Sequence, residues 1–340
     1  MESIKPATKT LIIAEVGVNH NGDLGLAKKL IREAALAGAD VVKFQTFNAD
    51  LLVTENAPKA TYQKNKDADN DSNYEMLKGL ELSREDHFNL LMECDHHGIE
   101  FFSTGFDIDS LNFLLELKMN RIKIPSGEIT NLPFLEHIAT FNLPVILSTG
   151  MADIPEIEHA LDVLLGNKLV KSNLSILHCT SLYPAPFDTI NLNVIPALKQ
   201  KFKINIGYSD HTLGIEAAIA AVSLGAKIIE KHITMDVNMP GPDHKASITP
   251  HEFKAMVCAI RNIEAGLGDG CKIPSKNELE MRAIARKSLI ASKNINEGEV
   301  LTADHIAIKR PGNGISPMKL QEVIGTKAIK SFLQDDLIET

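Results

Sequence analysis

Eight times between Leu11 and about Gly268, a short apolar, β-branched run is followed by a stretch with helical periodicity; this repeat constrains the fold more than any other feature. The runs are LIIAEVG (11–17), DVVKFQT (40–46), EFFSTGF (100–106), RIKIPS (121–126), PVILSTG (144–150), LSILHCT (174–180), INIGYSD (204–210) and KIIEKHI (227–233). Amphipathic patterns such as LGLAKKLIREAALAGA and HEFKAMVCAIRNIEAGLG follow them. Strand and helix in strict alternation build a parallel sheet, because each strand must be carried back to the same edge by a crossover. Eight such units in roughly 250 residues are the count of a (β/α)8 TIM barrel. The rival is a doubly wound open sheet, and the lack of a GxGxxG after the first run weighs against it.

Two segments stand outside the repeat. Residues 47–82 are polar and far longer than an ordinary βα connection, which predicts a functional lid on the barrel's C-terminal face. After a barrel domain of residues 1–268, a Lys- and Pro-containing stretch, 269–285, reads as a linker. Residues 286–340 then read as a compact β-rich module with many turns and no long helix. A module that small has a marginal core, so it is expected to lean on the barrel or on another subunit. Its loop IKRPGNGIS (308–316) combines two fixed positive charges with a proline and two glycines, the composition of a binding loop.

Composition narrows the function classes. No apolar run reaches the length of about 18 residues that a membrane helix needs, and the first ten residues have no apolar core of a secretory signal. Cys94, Cys179, Cys258 and Cys271 show no CxxC spacing, which argues against a disulfide framework or structural zinc and for a reducing cytoplasm. The formal charge of −9 argues against a nucleic-acid binder. A local cluster of lysines can still oppose that sign and take a small acidic substrate.

Catalytic side chains of a barrel project from the C-terminal ends of its strands, and here all eight ends carry polar residues. Glu15 ends the first run; Lys43, Gln45 and Thr46 lie on the second; Ser103 and Thr104 on the third; Lys123, Ser126 and Glu128 on and after the fourth. Ser148 and Thr149 end the fifth, Thr180, Ser181 and Tyr183 follow the sixth, Ser209, Asp210 and His211 end the seventh, and Glu230, Lys231 and His232 the eighth. His211 and His232 fall on adjacent strands about 4.8 Å apart, close enough to share a divalent cation with substrate and water oxygens; a hydrogen-bonded structural pair is the alternative. Lys43 and Lys123 with Ser126, Ser148, Ser181 and Ser209 make a phosphate or carboxylate cradle, unless the lysines pair with Glu15, Glu128 or Glu230. Glu15 could move protons or simply salt-bridge a lysine. Asp243, on the turn MPGPDHKAS beside the two histidines, is a weaker candidate, and Cys179 reads as a small buried residue rather than a nucleophile.

The motifs AEVGVNHNGD, VVKFQT, FFSTGFD, KIPSGEITNLP, ILSTGM, HCTSLYPAP, IGYSDHTLG, IEKHIT, GPDHKAS and KRPGNGISP run in order along essentially the whole chain. With them the chain resembles the bacterial sialic-acid (N-acetylneuraminate) synthase family, which includes legionaminate synthases, and its tail resembles that family's antifreeze-like (SAF) domain. The resemblance implies a cytoplasmic transferase that condenses phosphoenolpyruvate with an N-acylated hexosamine and releases phosphate, on the way to a cell-surface polysaccharide. It implies a divalent cation, Mn²⁺ first and Mg²⁺ or Co²⁺ otherwise, on His211 and His232, and Glu15 as the proton-transfer group. Lys43, Lys123, Ser126, Ser148, Ser181 and Ser209 would bind phosphoenolpyruvate, and Gln45 and Asp243 the sugar. Arg310 would reach the sugar from the partner subunit of a domain-swapped homodimer, with no nucleic acid or membrane involved.

Two positions depart from the family pattern: Ser181, where some members carry Asn, and Gly105, where many carry Pro. The expected sugar is N-acetylmannosamine, giving N-acetylneuraminate. The alternative is 2,4-diacetamido-2,4,6-trideoxymannose, giving N,N'-diacetyllegionaminate. A non-catalytic glycan- or ice-binding protein is the remaining reading; it leaves the eight polar strand ends unexplained.

Overall fold

The computed structural model describes residues 9–60, 63, 72–166 and 168–340. The expected lid segment 47–82 therefore lies partly, at 61–62 and 64–71, outside the described residues. Within the rest, all eight expected strands form: β1 (Leu11–Gly17), β2 (Val41–Thr46), β3 (Glu100–Gly105), β4 (Ile122–Ile124), β5 (Val145–Ser148), β6 (Leu174–Cys179), β7 (Asn205–Asp210) and β8 (Ile228–His232). Their ladder is parallel throughout and runs β3-β2-β1-β8-β7-β6-β5-β4. β3 and β4 lie side by side without a ladder. β4 has only three residues and meets Pro125, which has no N–H to donate.

Each strand is followed by at least one helix: α1 (Leu24–Leu36) after β1; α2 (Ala49–Leu52), α3 (Asn73–Lys78) and α4 (Arg84–His97) after β2; α5 (Ile108–Glu116) after β3; α6 (Leu132–Ala139) after β4; α7 (Ile154–Leu165) after β5; α8 (Val194–Phe202) after β6; α9 (Glu216–Ser223) after β7; and α10 (Pro250–Gly266) after β8. Except at α8 and α9, these helices start where a side chain supplies a missing acceptor for their first N–H groups. Asp23 caps α1, and Ser83, Asp153 and Thr249 form capping boxes on α4, α7 and α10. The longer barrel helices turn an apolar stripe inward, as α1 does with Ala27, Leu30, Ile31 and Ala34. The strands are buried on both faces, as strands covered by helices must be.

One irregularity aims side chains. The β1–β2 register skips a residue between Glu15 and Gly17, a bulge with Gly17 at φ +54°. A Cβ at Gly17 would stand 3.3 Å from both Glu15 Oε1 and Gln45 Nε2 and 3.4 Å from His232 Cε1. Glycine therefore serves both the left-handed backbone and the close approach of three polar side chains.

Residues 269–340 form a second compact unit. Its antiparallel pair β9 (Ser288–Ala291) and β10 (Ile306–Lys309) encloses a core of Leu289, Ile295, Leu301, Val323, Phe332 and Ile338. The stretch read as a linker differs from that reading. Residues Lys276–Ala285 form a helix, α11, because Ser275 and Glu278 make a capping box, and it belongs to this unit. The loop 308–316 is tied to α11 and β9: Arg310 Nε donates to Ala285 O, Gly312 N to Ala283 O and Ser288 Oγ to Pro311 O. Among the described residues no helix is long and apolar enough to cross a membrane.

Between β7 and β8, on the side away from the barrel interior, Lys231 Nζ meets Asp210 Oδ2 at 2.7 Å with both side chains fully buried. Lys231 also donates to Thr212 O, and Asp210 accepts from Thr212 N and Oγ1. Breaking such a pair strands a buried charge. Lys231→Met should cost about 3–5 kcal/mol in urea unfolding of the barrel, and adding Asp210→Asn should recover part of that loss.

Candidate functional site

A cavity of about 380 Å³ opens at the C-terminal ends of the strands, within the usual size of a small-molecule site. The alternation of a strand decides which residues reach it. Glu15, Lys43, Gln45, Thr104, Lys123, Ser148, Ser209, Glu230 and His232 have the inward phase and line it, joined by Ser126, Ser181, Tyr183, His211 and Asp243 from the loops. Thr46, Ser103, Asp210 and Lys231 have the opposite phase: Thr46 bonds Ser103 and His87, and Asp210 bonds Lys231. Eleven of the twelve residues expected at the site thus converge on one space. The twelfth, Arg310, is an exposed residue of the second unit.

The floor is a set of four buried charges. Lys43 Nζ stands 2.8 Å from Glu15 Oε2 and 3.7 Å from Glu230 Oε2, and it donates to Thr104 Oγ1 at 2.9 Å. Lys123 Nζ donates to Glu230 Oε1 at 3.0 Å, and Ser209 Oγ donates to the same oxygen at 3.1 Å. Gln45 Nε2 donates to Glu15 Oε1 at 3.1 Å and so orients that carboxylate. The lysines do pair with carboxylates, through Glu15 and Glu230 rather than Glu128, which accepts from Asn131. Burial raises the pKa of Glu15, Lys43 pulls it back, and the neighbouring Glu230 pushes it up; the balance is upward. Glu230 is the reverse: burial opposes its charge, but Lys123 and Lys43 hold it down to about 2. One carboxylate is thus the fixed counter-ion and the other is poised to exchange a proton.

Glu230 is the residue that sequence reasoning left without a role of its own. The signal was present: it lies two residues before His232 on one strand and so faces the same side.

On the β4–β7 side stand the hydroxyls. Gly150 N donates to Ser126 Oγ at 2.9 Å, while Ser148 Oγ is buried with no hydrogen-bond partner among the described residues. A Cβ on Gly150 would lie 2.1 Å from Ser181 Oγ and 2.9 Å from Ser126 Oγ. The glycine leaves Ser126 and Ser181 free to share one concave edge beside Lys123, with donors for an anion.

The two histidines end β7 and β8 with ring centroids 5.5 Å apart. His211 Nδ1 donates to Thr180 O at 2.8 Å, which leaves Nε2 available, and its ring lies 4.1 Å from that of Tyr183. His232 Nδ1 is buried without a hydrogen-bond partner among the described residues, 4.0 Å from Asp243 Oδ2. Burial opposes charge on His211, but Cys179 and the Thr180 carbonyl favour it and raise its pKa to about 9. Burial and the charge of His211 push His232 well below its ordinary value. These opposite shifts favour a single positive charge at the pair, which a bound cation would supply in its place. Two imidazoles, one of them with an orphaned buried nitrogen, fit a divalent ion whose other ligands come from solvent or substrate. Among the described residues no three His, Cys, Asp or Glu side chains form a closed cage, so the fit is to an open catalytic site and not to a structural zinc.

Comparison with known proteins agrees with the fold. The model of the NeuB family matches residues 30–272 and that of the SAF domain residues 286–339. The chain is 51% identical over 330 residues to the N,N'-diacetyllegionaminic acid synthase of Campylobacter jejuni, covering 97% of this chain and 99% of that one. It is 48% identical to the enzyme of the same name from Legionella pneumophila, covering 96% and 93%. The crystal structure of an N-acetylneuraminic acid synthetase from Leptospira borgpetersenii superposes with a TM-score of 0.71 at 37% identity, over 80% of this chain and 90% of that one.

Two outcomes test the site. Gly150→Ala should weaken binding of inorganic phosphate at least ~10-fold in calorimetry, with the urea midpoint little changed. In metal-free protein, burial raises Asp243 from 3.8 to about 6. The native state then holds a proton that the unfolded chain has lost, so this contribution is complete below pH 3.8 and disappears as pH rises through 6. Asp243→Asn should remove a pH-dependent loss on the order of 3 kcal/mol, read from unfolding curves across that window with EDTA present.

Proposed function

The chain belongs to the NeuB family, and on that premise we propose that it condenses phosphoenolpyruvate with 2,4-diacetamido-2,4,6-trideoxymannose and water, releasing N,N'-diacetyllegionaminate and phosphate. The choice of sugar departs from the expectation of N-acetylmannosamine. Relatives named for legionaminate are 51% and 48% identical to this chain, against 37% for one named for N-acetylneuraminate. The observation that carries the condensation is the buried set Lys43, Lys123, Glu15 and Glu230 beside the serine hydroxyls of the β4–β7 side, of which Ser148 has no hydrogen-bond partner among the described residues.

Two lysines and two glutamates sum to no charge, so an arriving phosphate draws each ammonium from its carboxylate with little net cost in buried charge. Lys123, Ser126, Ser148, Ser181 and Ser209 hold the phosphate, and Lys43 spans to the carboxylate end. His211 and His232 would hold a divalent cation, with Mn²⁺ preferred to Mg²⁺ or Co²⁺, and the chemistry it supplies when bound is Lewis-acid polarisation of the sugar carbonyl. Gln45 and Asp243 orient the open-chain sugar. Carbon 3 of phosphoenolpyruvate bonds to the aldehyde carbon, leaving an electron-poor carbon 2. Water adds there, Glu15 takes and returns the proton, and phosphate departs with its bridging oxygen.

The second unit completes the site in this reading. Met151, Leu182 and Leu213 follow the ends of β5, β6 and β7 as exposed apolar side chains, and α11 exposes Leu279, Met281 and Ile284. We assign these surfaces to a domain-swapped homodimer in which Arg310 of one subunit reaches the sugar in the other.

Purified protein should show kcat/KM at least ~100-fold higher for 2,4-diacetamido-2,4,6-trideoxymannose than for N-acetylmannosamine; the opposite preference contradicts the choice of sugar. His211→Ala and His232→Ala should each abolish Mn²⁺ binding by electron paramagnetic resonance as well as phosphate release. Mixing inactive Arg310→Ala and His211→Ala chains under exchange should restore up to about a quarter of wild-type activity, because half the dimers carry one intact composite site. No recovery would contradict the swap.

A further inference from the structure

The cavity is chemically divided. Its phosphate donors come from the β4–β7 ends, with Lys43 of β2 between them and the rest, so a sugar condensing beside them occupies the sector from β8 through β1 to β3, where Asp243 and Gln45 stand. The outer wall of that sector is apolar: Val18, Met76, Leu77, Leu80 and Phe106 line it. The patch is the exposed face of a small separate core. Val18, Phe47 and Leu80 are buried there, and Phe47 meets Phe106 edge to face at 6.1 Å between centroids.

The patch is also fixed in place. Tyr74 and Lys78 of α3 both bond Asp50 of α2, at 2.5 and 3.2 Å. Gly22 sits so close beneath the end of α3 that a Cβ on it would be 2.7 Å from Gly79 O. Met76 and Leu77 therefore reach the cavity from an anchored helix. Gln63, a polar residue lining the same region, has its Oε1 occupied by the Ala60 N–H.

We propose that this apolar patch, with Met76 and Leu77 at its centre, is the specificity determinant for the far end of the sugar, accepting a methyl group where other hexosamines present a hydroxyl. The proposal rests on the functional reading above and names residues for its selectivity. A hydroxyl against the side chains of Val18, Met76, Leu77, Leu80 and Phe106 leaves water and finds no partner on them, while a methyl group gains apolar contact. A purely apolar wall rejects an added hydroxyl by only about 100-fold, so the effect has a ceiling.

The test compares kcat/KM of the full-length protein for 6-deoxy-N-acetylmannosamine and N-acetylmannosamine, which differ by one oxygen. The wild-type ratio should be about 100. In Met76→Gln and in Leu77→Asn it should fall at least ~10-fold through a gain with the hydroxylated sugar, with KM for phosphoenolpyruvate unchanged as evidence of an intact fold. A wild-type protein that turns over these sugars with a ratio near one, or variants that keep the wild-type ratio, would overturn the patch as determinant. A wild-type protein that condenses no hexosamine with phosphoenolpyruvate would instead overturn the functional reading beneath it.

Discussion

Everything at the mouth of this barrel depends on two nearly buried lysines being held against carboxylates: Glu15 and Glu230 raise Lys43 above its ordinary pKa, while burial pulls Lys123 below its own despite Glu230. An isolated buried lysine would lose its proton or unfold its surroundings. Here Glu230 lies between Lys43 and Lys123, and Glu15 closes the set from the other side of Lys43. The result is a neutral but polar floor whose bonds are exchangeable. In the proposed reaction an anion takes over the lysines because the carboxylates are already there to balance charge, and because Ser148 holds a buried hydroxyl with no hydrogen-bond partner among the described residues. The same floor sets two different carboxylates: Glu230, clamped by two lysines, stays ionised, while Glu15, more buried than compensated, can carry a proton.

That arrangement is a consequence of barrel geometry. Strand alternation sends Lys43, Lys123, Glu230 and Ser209 inward from four different strands, and the bulge before Gly17 brings Glu15 and Gln45 close to His232. The opposite phase is used for support. Asp210 and Lys231, immediate neighbours of the two histidines, lock β7 to β8 from behind, and Thr46, Ser103 and His87 do the same for β2, β3 and α4. A residue's place on its strand, more than its chemical type, separates the working groups from the holding ones.

The strands were legible from sequence because a buried parallel strand is a continuous apolar run with a polar residue at its end, and each observed strand lies within its expected span. The site was legible for the same reason. What escaped were features fixed by contacts remote in sequence. The choice of Glu230 over Glu128 as lysine partner depends on which strand faces which. The helix Lys276–Ala285 hid within a stretch whose Pro and Lys content read as linker, although Ser275 and Glu278 spell its cap. The apolar patch at Met76 and Leu77 lies in a segment read as polar, because two residues count for little in an average over residues 47–82 and much on a cavity wall.

As an anion site, the lysine–glutamate floor would trade its internal ion pairs for a phosphate. A crystal structure of the protein with phosphoenolpyruvate measures this directly. It should show the phosphate against Lys123 and the hydroxyls of Ser126, Ser148, Ser181 and Ser209, with Lys43 turned from Glu15 toward the ligand's carboxylate. Phosphoenolpyruvate bound elsewhere, with Lys43 and Lys123 still on Glu15 and Glu230, would contradict it.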